Sequence, residues 1–224
     1  MKKKTILIIV ICVLAVLIIG GLVYYFGFYR NQNNEGGTGT SGEQEKSKLS
    51  AVYDELKKDD IYTFTRTVDE DNKITIARSG DKGYKESIIN GRDTKYIVND
   101  GNTYLLQEDT KRYYQYDNNV MILSEITGVL EELKDQEYKK GKEKINGKNY
   151  QYEEYSGCQD FLVNNKLYTN NENNSKTRFY YDGDELVYIK TIIGDQEEIA
   201  EVNIQYSVDD NLFNVPTDYV NAEG

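Results

Sequence analysis

The chain has 224 residues with 27 Lys plus Arg against 38 Asp plus Glu, a net charge of −11, and contains no His, no Trp, two Cys and one Pro. Without His there is no Ser/His/Asp or Cys/His nucleophile pair and no His ligand for a metal, which removes most hydrolase and zinc chemistries. Cys12 lies in an apolar run and Cys158 far away in a polar one, so the two do not read as a disulfide framework.

Met1-Lys2-Lys3-Lys4 forms a basic stub, and Thr5 to Tyr29 follows as 25 residues without a charge. At about 1.5 Å of rise per residue, that run is long enough to cross a hydrocarbon core of roughly 30 Å as a helix. The lysines outweigh the single Arg30 beyond it, so the positive-inside bias places residues 1–4 in the cytoplasm and the rest outside the cell membrane, single-pass. A cleaved signal peptide has a shorter apolar core, and Cys12 lacks the small residues of a lipoprotein site, so residues 5–29 read as an uncleaved signal anchor. The first 30 residues hold four bases and no acid, which leaves the outer part at a net −15. That field repels nucleic acid and anionic headgroups. Residues 30–46 form a linker in which Asn31 to Lys46 carries no apolar residue, a flexible tether ahead of one domain at 47–224.

Ser47 caps a predicted helix whose Leu49, Val52, Tyr53 and Leu56 recur at i, i+3, i+4 and i+7. From Ile61 the period changes to two, and Asn-Gly, Asp-Gly and similar pairs punctuate the chain, so sequential strands pair antiparallel in a meander. The expected strands are 61–68, 73–79, 83–90, 93–98, 102–107 and 111–116, then 137–145, 148–155, 176–182, 185–193 and 197–208. Between the groups, Val120 to Lys134 carries Leu123, Ile126, Leu130 and Leu133 on one stripe, the expected covering helix for one sheet face. Cys158 to Asn174 reads as a loop with room for a short helix or strand. The fold class is α+β, mostly antiparallel β: an N-terminal transmembrane helix, then a meander with one N-terminal helix and one covering helix.

Several motifs have a plain structural reading. Ser79-Gly80-Asp81-Lys82 matches Ser-x-x-Lys but sits on a predicted turn without companion motifs. Cys158 has no His base. Glu153 and Glu154 are strand neighbours and point to opposite faces. Asp69-Glu70-Asp71-Asn72 and Asp182-Gly183-Asp184-Glu185 are oxygen-rich, yet hairpin turns explain them better than calcium does. Asn173-Asn174-Ser175 is a formal glycosylation acceptor of little weight.

The chain ends Asp210-Asn211-Leu212-Phe213-Asn214-Val215-Pro216-Thr217-Asp218-Tyr219, of the form acidic-x-Leu-Phe-x-x-Pro-x-x-Tyr. Together with the segments Glu143 to Tyr155 and Phe179 to Lys190 and the order helix, meander, helix, meander, this ending resembles the LolA-like lipoprotein-carrier superfamily, across essentially all of 47–224. The resemblance implies a LolA/LppX-like curved open half-barrel whose concave face, partly closed by helices, holds acyl chains in carriers and binds partners in relatives. The clostridial germination lipoprotein GerS group is one such relative, and this chain departs from it in lacking a lipobox Cys.

The 21 Tyr and six Phe supply the candidate binding residues. These are Phe64, Ile76, Tyr96, Tyr104 and Tyr114 in the first meander, Leu123, Ile126 and Leu130 on the helix, and Tyr152, Tyr181 and Tyr188 in the second meander. Tyr suits a core, a protein interface or a lipid pocket, and all three readings stay open. The expected function is a non-enzymatic extracytoplasmic module that docks an envelope protein partner, with no cofactor and no metal. The alternative is a binder or sensor of a lipid or other hydrophobic ligand in the concave face, and a carboxylate-pair hydrolase of envelope polymers is a third. Strand residues packed directly on Leu123, Ile126 and Leu130 leave no lipid cavity, whereas an open, dry volume of several hundred Å³ favours the ligand reading.

Overall fold

A computed structural model describes residues 46–117, 125–157, 162–163, 166–167 and 175–223. The predicted anchor, nearly all of the linker, Leu123, Cys158 and most of the following loop lie outside the described residues. No helix among the described residues is long and apolar enough to cross a membrane.

Helix α1, Lys48–Asp59, begins where its sequence says: the Ser47 side chain accepts the Ser50 N–H at 3.0 Å. It ends at Asp60, which adopts a left-handed φ of 54° and turns the chain into the sheet. Six strands follow in sequence: β1 Ile61–Asp69, β2 Asn72–Ser79, β3 Lys82–Ile89, β4 Arg92–Asn99, β5 Asn102–Gln107 and β6 Arg112–Tyr116. Helix α2 spans Glu125–Leu133, and the second group then runs β7 Tyr138–Ile145, β8 Lys148–Ser156, β9 Leu162–Val163, β10 Lys166–Leu167, β11 Ser175–Asp182, β12 Glu185–Ile193 and β13 Gln196–Gln205. A single 3-10 turn at Asp210–Phe213 and β14, Val220–Asn221, complete the chain.

The hairpins are set by turn chemistry. Asn90-Gly91, Asp100-Gly101 and Asn146-Gly147 all have positive φ at both residues, as two-residue turns of the type that matches strand twist require. Ser79 pairs with Lys82 across the two-residue turn Gly80-Asp81, where Gly80 alone has a positive φ, so the Ser-x-x-Lys spacing is a hairpin closure. Twelve strands form one open sheet in the order β14-β6-β5-β4-β3-β2-β1-β13-β12-β11-β8-β7, with β9 and β10 paired apart. Each meander is thus antiparallel throughout, and the two are joined where β1 pairs with β13, Phe64 opposite Ile204. β14 adds to β6 in parallel.

Both helices pack on one face of this sheet. Leu49, Val52 and Leu56 of α1 and Leu130 and Leu133 of α2 share a core with Tyr62, Phe64, Ile76, Phe179, Ile189 and Val202. Each such side chain contributes about 1.5–3 kcal/mol on burial. The opposite face of the first meander is covered by the chain end: Phe213 and Tyr219 pack on Ala77, Tyr84, Ile97 and Leu106.

Candidate functional site

The register sorts the candidate residues into rows. Phe64, Ile76, Lys85, Tyr96, Leu105 and Tyr114 lie directly opposite one another from β1 to β6, so four of the sequence-derived candidates form one row on the helix-covered face. At the β1–β2 end that row is filled: Phe64 and Ile76 are 2% and 3% exposed in the core that holds Leu130, with Ile126 against it. Leu130 itself is 3% exposed, packed with these strands in one core. Tyr96 and Tyr114, farther along the row, are half-buried.

Tyr181 lies on the same face and is explained by a neighbour that sequence reasoning left aside. Glu153, buried on β8, accepts the N–H groups of Lys48 at 2.9 Å and Leu49 at 3.1 Å, and the hydroxyls of Tyr155 at 3.1 Å and Tyr181 at 3.3 Å. The carboxylate therefore completes the start of α1, whose first N–H groups have no partner inside the helix and whose positive end favours an anion. Burial and this carboxylate push the Tyr155 and Tyr181 hydroxyls well above their ordinary titration range. The sequence carries no signal for it, since the positions of the same parity on β8 are Asn149, Gln151 and Tyr155. Its neighbour Glu154 points the other way, donating nothing to this site and instead accepting from Arg178 Nε at 2.7 Å.

An open cleft of about 550 Å³ lies at the β3–β4 turn, lined by Ser87, Ile89, Asn90, Arg92 and Thr94. Beside it Arg66 and Glu198 form an ion pair, both about nine-tenths buried, over Ile74 and Ile89. The lining sets Ile89 among polar residues yet exposes more apolar than polar surface, so the cleft offers an amphiphile both kinds of contact.

The outer face differs between the two meanders. In the first, Tyr104 meets Tyr113 edge-on at 5.7 Å under the chain end. Lys95 there holds Glu86, Asp93 and Glu108 at 3.3, 3.1 and 2.8 Å. Hydrogen bonds from Lys111, Lys95 and Tyr219 keep the Glu108 carboxyl down at about 2. Tyr84, buried beneath, is pushed up to about 12 by desolvation and by Glu86.

In the second meander, Gly141, Tyr152, Tyr180, Tyr188 and Glu201 form one row across β7, β8, β11, β12 and β13. The Tyr152 ring occupies the space that a side chain at Gly141 needs, and Arg178 stacks over it at 4.7 Å. Tyr152 packs on Tyr180 and Tyr150 on Tyr188, both at 5.3 Å. Glu143 ties the row together, accepting from Arg178 and Lys190 at 2.8 Å each and from the Tyr180 hydroxyl at 2.7 Å. Burial disfavours the Glu143 charge, yet those donors outweigh it and hold the carboxyl below its ordinary range. The result is a surface of half-buried Tyr150, Tyr152 and Tyr188 beside the ion pairs of Arg178, Lys190 and Glu143. Tyr104, Tyr152 and Tyr188 are thus on the opposite face from Phe64, Ile76, Tyr96, Tyr114 and Tyr181, and Leu123 lies outside the described residues.

Among the described residues no group of three or more Cys, Asp or Glu side chains is placed to hold a metal ion. No family model matches the chain, and no curated protein matches it. Among solved structures, the crystal structure of the Mycobacterium tuberculosis lipoprotein LppX is similar at 12% identity, covering 68% of this chain and 93% of that one, with a TM-score of 0.32. At that identity and score the similarity establishes no family.

Proposed function

We propose that the chain is a membrane-anchored, extracytoplasmic, non-enzymatic binding module of LolA-like half-barrel architecture that docks an envelope protein through the outer face of its second meander. The observation that carries this reading is the group of half-buried Tyr150, Tyr152 and Tyr188, with Arg178 stacked on Tyr152, on an outer face that the chain end, among the described residues, covers only in the first meander. Tyr and Arg are enriched among the residues that dominate interface energetics, Tyr because it brings large area with little entropy to lose and Arg because its planar guanidinium stacks and hydrogen-bonds at once. The packed core at Leu130 supports docking over acyl-chain carriage. The 25-residue apolar run supports the anchor, and a spanning helix suits a fixed post better than a shuttle.

The test is native mass spectrometry of the full-length protein released gently from its own membranes, with organic extraction of whatever accompanies it. A defined second polypeptide, lost on Tyr188→Ala with Tyr150→Ala while the melting temperature holds, supports docking. A stoichiometric lipid in its place overturns it. The β3–β4 cleft favours a second reading, capture of an amphiphile with its polar end at Arg92 and Thr94.

A further inference from the structure

Strand β7 is one edge of the sheet: among the described residues it pairs only with β8. The Asn146-Gly147 hairpin decides which of its backbone groups face outward. In a two-residue hairpin the flanking pair, Ile145 and Lys148, is hydrogen-bonded, and bonded pairs then alternate. Ile145, Glu143, Gly141 and Lys139 therefore bond to β8, and the N–H and C=O groups of Lys144, Lys142 and Lys140 point away from the sheet. Those three residues also share one face, about 7 Å apart along the strand. All three side chains are exposed, and Lys142 and Lys144 make no ion pair among the described residues. The other face of β7 is committed to structure through Glu143 and Gly141.

We propose that the β7 edge is a docking site for an extended acidic segment of a partner protein, added as an antiparallel strand with carboxylates at alternate positions facing Lys140, Lys142 and Lys144. This rests on the docking reading and adds a second contact to it: the three lysines lie on the helix-covered side of the sheet with Glu153, opposite the Tyr152–Tyr188 row, and the two meet only at the β7–β8 edge. Charge complementarity selects the occupant: a basic row on a chain of net −11 attracts what the rest of its surface repels. Self-pairing of two β7 edges sets lysine against lysine, which counts against a second copy.

Binding is measured by fluorescence anisotropy on the full-length protein in detergent, with a labelled heptapeptide of alternating Thr and Glu. An isomer with its three Glu contiguous is the control. The alternating peptide binds at least tenfold tighter than the isomer, and Lys142→Glu with Lys144→Glu removes at least tenfold, whereas Lys139→Glu, the same charge change on the opposite face, leaves it unchanged. N-methylation at the Glu nitrogens, which face β7, abolishes binding; N-methylation at the Thr nitrogens does not. Equal binding of both isomers, equal loss from Lys139→Glu, no binding at millimolar peptide, or the same lysine dependence on anionic phosphatidylglycerol vesicles with none on peptide each overturns the proposal. A polypeptide partner that persists in native mass spectra while the peptide fails removes the edge assignment and leaves the docking module standing.

Discussion

Glu153 is the residue whose removal the structure prices most clearly. Its two oxygens accept from two backbone N–H groups at the start of α1 and from two tyrosine hydroxyls, all in or beside the main core. Replacing it with Ala leaves those four donors without their acceptor, and a buried unsatisfied donor costs about 1–3 kcal/mol. Lys48 lies at the rim, with a third of its side chain exposed, so its N–H reaches water at little cost and about three donors carry the penalty. Removal of the carboxylate's own desolvation cost offsets part of the sum. The expected net loss for Glu153→Ala is about 3–5 kcal/mol, or roughly 10 °C in melting temperature for a domain of this size. Glu153→Gln keeps one good acceptor but turns an amide N–H₂ toward donors, and loses about half as much. Urea unfolding with an unchanged m-value is the assay. In the Glu153→Ala background, Tyr155→Phe and Tyr181→Phe become cheaper than in the parent, since neither then strands a partner. A loss under about 1 kcal/mol for Ala, or additive Tyr→Phe effects, would falsify the capping role.

Three further predictions follow from other parts of the sheet. Glu108 titrates near 2 in the folded protein against an ordinary 4.5, so its stabilisation is present above the unfolded value and is lost as the pH falls from 4.5 toward 2; Glu108→Gln flattens that part of a melting-temperature profile, and an unchanged profile contradicts the assignment. Phe213→Ala costs about 3–5 kcal/mol and strips hydrogen-exchange protection from β14 and β6, because it removes the plug of the outer core. Gly141→Ala displaces the Tyr152 ring from under Arg178 and costs about 0.5–2 kcal/mol, and the cost vanishes in a Tyr152→Ala background.

The local half of the architecture was legible because its determinants are local. Asn-Gly and Asp-Gly pairs mark turns that need positive φ, and strand bounds read from period-two patterns fall within a residue or so of β1 to β8, β11 and β12, while β13 ends at Gln205, earlier than the pattern suggests. The join of β1 to β13 was not legible, since residues at opposite ends of the domain carry no pattern that names each other. Which face a strand residue takes was not legible for the same reason: alternation shows that Tyr188 and Ile189 point apart, but only the register shows that Ile189 meets the helices. Glu153 hid because capping usually comes from a neighbour in sequence, as Ser47 does, and here the acid arrives from another strand. The Leu212-Phe213 to Tyr219 ending, which drew attention as a family-like motif, packs as the cover of the first meander's outer face.

The central claim, that a protein partner sits on the outer face of the second meander, is tested most directly by photo-crosslinking in intact cells from a benzophenone amino acid placed at Tyr188 and, separately, at Thr94 in the β3–β4 cleft. The account predicts a single protein adduct of defined mass from position 188 and none from 94. Lipid-mass adducts from 94 with nothing from 188 would contradict it.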